Sequence, residues 1–144
     1  MKLLRITAEG LPLFKEKLDL SFYAQQRVAE EQKNILYPLF SNIYMNSATG
    51  FIGINASGKT SVLKVILLAL DIINNEPINH IETRDILGDA KEVKLNMYFF
   101  SGKLNEICRL ETIITSRKSK PPCLDVTVTR QNVTARKPSV WSVR

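Results

Sequence analysis

Hydrophobic and polar positions change period several times along the chain, and each change marks an element. Leu3-Leu4-Arg5-Ile6-Thr7-Ala8 has a strand-like mix, Gly10-Leu11-Pro12 interrupts it, and Leu18-Asp19-Leu20-Ser21-Phe22 alternates with a period of two. Together these predict an opening β-hairpin. Residues 24–32 turn to Gln, Glu, Ala and Arg, a helix-tolerant polar stretch that Pro38 ends, so residues 24–41 are expected to form a surface excursion. Asn42–Asn46 then predicts a short strand, and Thr49-Gly50-Phe51-Ile52 a brief apolar strand leading into a glycine-rich loop. Thr60–Asn74 is apolar over helical length, and Asn74-Asn75-Glu76-Pro77 supplies the stop. After a less regular connector, Glu92–Phe100 alternates cleanly, Ser101-Gly102-Lys103 makes a turn, and Ile107–Thr115 is rich in β-branched residues. That order predicts a second antiparallel hairpin. Beyond Arg117 the pattern weakens, with a strand admitted at Leu124–Thr129 and a polar end carrying Trp141.

Composition narrows the class without naming a function. The 144 residues are 44% hydrophobic and 24% charged, values of an ordinary globular chain rather than a disordered tail or coiled coil. The longest apolar stretch, Val62–Ile73, contains Lys64 and Asp71 and is far shorter than the roughly 20 residues a bilayer span requires, so no membrane segment is expected. Glu9, Lys15, Glu16 and Lys17 arrive before a signal-peptide core can form, which favours a cytoplasmic setting. Cys108 and Cys123 have no His or Cys at metal-ligand spacing, and His80 is the sole histidine, so idle or buried thiols are expected. The Asn132-Val133-Thr134 sequon has no consequence in that compartment. The net charge of +6 lies wholly in the C-terminal part: residues 1–102 hold 11 basic and 11 acidic residues, residues 103–144 nine and three. A basic segment can attract phosphate backbones, which makes nucleic acid a secondary expectation. Residues 1–116 are expected to form the folded unit and 117–144 a basic, weakly patterned tail.

The chemistry concentrates in Gly53-Ile54-Asn55-Ala56-Ser57-Gly58-Lys59-Thr60, which satisfies the G-x-x-x-x-G-K-[ST] phosphate-loop pattern. Gly53 and Gly58 lack a β-carbon, so the backbone can take positive φ and curl tightly enough to aim successive amides at one anion. The helix beginning at Thr60 adds unpaired first-turn N–H groups and the positive end of its dipole. Lys59 is expected to reach the β- and γ-phosphates of ATP as the catalytic cation, and the Thr60 hydroxyl to hold Mg²⁺. The predicted strand, loop and helix imply an α/β fold with antiparallel hairpins flanking a strand–P-loop–helix unit. The helix is apolar on nearly all faces and is expected to be covered all round. Leu67-Leu68-Ala69-Leu70-Asp71 is the one literal match to a second acidic motif, but it lies on the P-loop helix itself, so Asp71 is expected to be a helix-end residue. By itself the chain looks catalytically incomplete.

Met1–Ile6, Phe14–Leu20, the loop at 53–60 and Ser61–Ile66 resemble the N-terminus of ABC-type AAA-family ATPases, the group that includes SMC-like proteins, RecF and the overcoming-lysogenization-defect nucleases. The resemblance spans residues 1 to about 115. It implies a P-loop NTPase fold of the ABC-ATPase N-terminal-lobe type, with nucleotide contacts at Asn55, Ala56, Ser57, Gly58, Lys59, Thr60 and Ser61. It also implies a homodimer that sandwiches ATP through a part of the protein beyond this chain, and ATP hydrolysis by the complete assembly in DNA repair or phage defence. Ala56 departs from the usual glycine. The family's signature loop, second acidic strand and switch histidine have no counterpart, which implies an N-terminal portion or a truncated frame. Two other readings stand beside this one: a nucleotide-binding or regulatory module without turnover, and a small P-loop kinase or GTPase. Against the latter, about 50 residues precede the loop, and no Asn-Lys-x-Asp motif occurs.

Overall fold

The structure, a computed structural model, describes residues 1–24, 28–40, 43–55, 57–77 and 80–115. Its elements are β1 (Lys2–Glu9), β2 (Leu18–Ser21), a 3-10 turn (Glu30–Ile35), β3 (Leu36–Phe40), β4 (Ile43–Asn46), α1 (Lys59–Asn74), α2 (His80–Leu87), β5 (Glu92–Ser101) and β6 (Glu106–Thr115). The strand expected at 124–129 and the basic tail at 117–144 lie outside the described residues.

Both predicted hairpins form, and they join into one four-stranded antiparallel sheet of order β2-β1-β5-β6. Alternation explains its two faces. Ile6, Ala8, Val93, Leu95, Met97, Leu110 and Ile114 are buried on one side, while Arg5, Asn96, Tyr98 and Arg109 occupy the other. On that polar side the Arg5 guanidinium grips both Asp19 carboxylate oxygens across the β1–β2 ladder and holds the carboxyl below its usual range. A left-handed Gly10 (φ +84°) ends β1, and a Cβ there would lie 2.5 Å from the Glu92 carbonyl oxygen. Only glycine allows this backbone-to-backbone approach.

α1 lays Val65, Leu68, Ala69 and Ile72 into the same apolar cluster, the i, i+3, i+4, i+7 spacing of a helix stripe. The stop is also as the sequence implies. Asn75 is left-handed (φ 59°), and the Glu76 N–H donates to the Asp71 carbonyl (2.8 Å), a Schellman closure. α2 contributes Ile86 and Leu87, and Lys64 on α1 pairs with Asp85 on α2 at 2.7 Å. Contrary to the expectation of cover on all sides, the helix keeps a second apolar edge in solvent, with Leu63 and Leu67 each 50% exposed.

Thr112, directly opposite Leu95, is fully buried on the core face, and its Oγ1 has no hydrogen-bond partner among the described residues. Burying an unpaired hydroxyl is unfavourable, and valine has nearly the same shape. Thr112→Val is expected to stabilise the fold by about 1 kcal/mol, read as a higher denaturant midpoint with an unchanged slope.

Three further expectations need correction. The strand–P-loop–helix unit of an α/β P-loop NTPase, and with it the ABC-ATPase-like lobe, is not formed: residues 49–52 carry no ladder, and Ile52 is fully exposed. A parallel strand needs parallel neighbours. Every strand pair among the described residues is antiparallel, so none serves that segment. The excursion at 24–41 also contains structure, the 3-10 turn at the end of its polar stretch and β3, an apolar run that Pro38 disguises. β3 pairs with β4 in a two-stranded sheet, with Pro38 opposite Tyr44. A proline is tolerated there because an edge strand does not need every amide. Finally, the connector after Pro77 contains α2.

Candidate phosphate-binding loop

Four segments position the loop. β4 is tied to the end of β2 by Ala24 N–H to the Tyr44 carbonyl and Asn46 N–H to the Phe22 carbonyl, both 2.8 Å, which fixes where the chain leaves for residues 47–58. At the other end α1 is anchored by its buried stripe. The β1–β2 connection reaches the junction: a Cβ on Gly58 would lie 3.9 Å from Phe14 Cε1, and Phe14 itself packs on the core. The C-terminus of α2 arrives beside it, with Gly88 near Pro12. The start of α1 therefore sits at the end of the sheet where β1 finishes and β2 begins.

Within the loop the two glycines do different work. Gly58 is left-handed (φ 85°, ψ 10°) at the N-cap of α1, and no side chain caps the helix. The first helical bond is Val62 N–H to the Gly58 carbonyl at 2.9 Å. The backbone amides before Val62 belong to the first turn, where an α-helix offers them no internal acceptor. Gly53 does not use positive φ as the sequence reading expects. It uses space: a Cβ would fall 2.6 Å from Ser57 Oγ. The Ser57 N–H donates back to the Ile54 carbonyl (3.3 Å), so residues 53–58 close on themselves.

Lys59 completes the curl. Its Nζ donates to the Gly53 and Ile54 carbonyls, both at 2.8 Å, and approaches Ser57 Oγ at 3.4 Å. The ammonium thus lies back over its own loop. Gly53, Asn55, Ser57 and Thr60 are exposed, while Gly58, Lys59 and Ser61 are half-buried, so the expected site residues share one short turn open to solvent. Ala56 lies outside the described residues.

Comparison of the chain with family models, with curated proteins and with solved structures finds no match. The case for the site rests on its own residues.

Asp71 is in the last turn of α1, about 18 Å along the axis from Lys59 at roughly 1.5 Å per residue, and so cannot share a phosphate with it. Cys108 is buried on the core face of β6, where desolvation pushes its thiol up from the ordinary value. No helix among the described residues is long and apolar enough to cross a membrane. Two neighbours of the loop escaped the sequence reading. Phe14 lies 44 positions before Gly58 and only the fold brings them together, and the exposed Ile52 gave only an apolar signal, which reads as a strand.

Proposed function

We propose that residues 53–61 bind the polyphosphate of Mg-ATP. The observation that carries the reading is the left-handed Gly58 set directly on an uncapped N-terminus of a 16-residue helix, with the Lys59 ammonium folded over the same turn. Open first-turn amides, the dipole end and a cation converge there, a combination suited to a multiply charged anion. Backbone N–H groups of Gly58, Lys59, Thr60 and Ser61 cradle the phosphates, and Lys59 leaves the Gly53 and Ile54 carbonyls for the β- and γ-oxygens. The exposed Thr60 hydroxyl would hold Mg²⁺ through one hard oxygen, the donor type that ion takes, and the ion would neutralise phosphate charge there.

The proposal is binding. Turnover requires a group that orients or deprotonates the attacking water, and Asp71, the sequence's one match to the second acidic motif, is far from the loop. Hydrolysis therefore belongs to an assembly that brings further residues, as the ABC-type resemblance implies, and DNA repair or phage defence rests on that resemblance alone. A cytoplasmic setting, where ATP and Mg²⁺ are abundant, belongs to the same reading.

Titration calorimetry with ATP, AMP and Mg²⁺ tests it. Saturable one-to-one binding of ATP is expected, with binding of AMP weaker by a hundredfold or more because the β- and γ-phosphates carry the recognition. Equal affinity for both, or no heat with ATP, contradicts the proposal.

A further inference from the structure

β6 is the end strand of the four-stranded sheet, and its outer edge has no partner among the described residues. The other end strand, β2, has only four residues, which limits what can pair with it. β6 has ten, pairs with β5 over its full length without a register shift, and contains neither proline nor lysine. Folded proteins usually blunt so long and regular an edge with a bulge, a proline or lysines. This one carries an ordered charge pattern instead.

We propose that β6 pairs antiparallel with β6 of a second copy of this chain, about a two-fold axis at Leu110. The register follows from the side chains. A shift by an odd number of residues would set the core face of one copy beside the solvent face of the other. Among the even registers, centring on Arg109 or Glu111 sets like charges directly opposite each other. Centring on Leu110 places Arg109 against Glu111 of the other copy twice, and Ile107 against Ile113 twice, all on the polar side of the sheet. Leu110 meets its own counterpart on the core side. Opposite charges directly across an antiparallel pair favour it, and like charges oppose it. In the single chain Arg109 reaches inward to the Asn96 carboxamide oxygen on β5 (2.6 Å) and pairs with Glu111 on its own strand (2.9 Å); at the seam Glu111 of the second copy comes directly opposite and joins that exposed charge pair. The result is a continuous eight-stranded sheet.

This dimer does not depend on ATP, which distinguishes it from a nucleotide-bridged pair. Light scattering in nucleotide-free buffer with chelator is expected to give twice the 16.3 kDa chain mass. Arg109→Glu and Glu111→Arg, each alone, create two like-charge pairs and should raise the dimer dissociation constant on the order of tenfold or more. Mixing the two single variants restores complementarity in a heterodimer, as does the double charge swap in one chain. That rescue separates loss of pairing from loss of folding. A monomer at all concentrations, including one whose outward β6 amides are protected from exchange by another part of the chain, overturns the proposal. So do single variants that remain fully dimeric, or a mixture that fails to reassociate.

Discussion

Replacing Lys59 with alanine is expected to weaken Mg-ATP binding by a factor of roughly 10 to 100, the 1.5–3 kcal/mol of a charge-assisted contact to phosphate. The ammonium is at present shared between two loop carbonyls at 2.8 Å. Binding therefore exchanges those bonds for stronger ones to a doubly charged oxygen cluster, and the net gain is less than the gross contact energy. The bonds are exposed and local, so the fold tolerates their loss: the far-ultraviolet dichroism and unfolding midpoint of the variant should stay close to those of the wild type. Lys59→Arg keeps the charge but changes the fork geometry and should fall between the two. Calorimetry on the three proteins reads the series. Equal affinity for wild type and Lys59→Ala would remove the cation from the account.

The largest stability effect is expected away from the loop, at Gly10. Gly10→Ala combines about 1–2 kcal/mol for an L-residue held left-handed with a contact that cannot persist, since the Glu92 carbonyl oxygen would be 2.5 Å from the new Cβ. Neither partner is a flexible side chain. The end of β1 must separate from the start of β5, which loosens the ladder where Glu9 faces Lys94. A total loss of about 2–4 kcal/mol is expected by denaturant unfolding. Gly50→Ala is the matched control: nothing lies within 4 Å of its Cβ position and its φ is not positive, so its change should stay within about 0.5 kcal/mol. Equal destabilisation by both would show that the Gly10 approach is not what holds β1 to β5.

The two variants probe parts of the molecule that differ in how far sequence reveals them. The β5–β6 hairpin was legible because alternation and a Gly102 turn agree, and its ten-residue register is regular. The end of α1 was legible because Asn75 does locally what its position requires. β3 was hidden by Pro38, and α2 by its polar residues, although Thr83, Ile86 and Leu87 are buried in it. The segment at 49–52 misled for a different reason. Its residues suit a strand, but a strand is defined by its neighbours, and among the described residues it has none. In the site, Gly58-Lys59-Thr60 announced itself. The reason for Gly53, which is Ser57 rather than backbone conformation, and the nearness of Phe14 are tertiary facts that no local pattern carries.

The central claim is that the turn from Gly53 to Ser61 receives the phosphates of a nucleotide. An amide nitrogen–proton correlation spectrum recorded while Mg-ATP is added tests it residue by residue. The account predicts saturable shifts largest at Ser57 through Ser61, with Gly53 and Ile54 following as Lys59 leaves their carbonyls, and little change in β5 and β6. Shifts centred elsewhere, or none at saturating nucleotide, would contradict it.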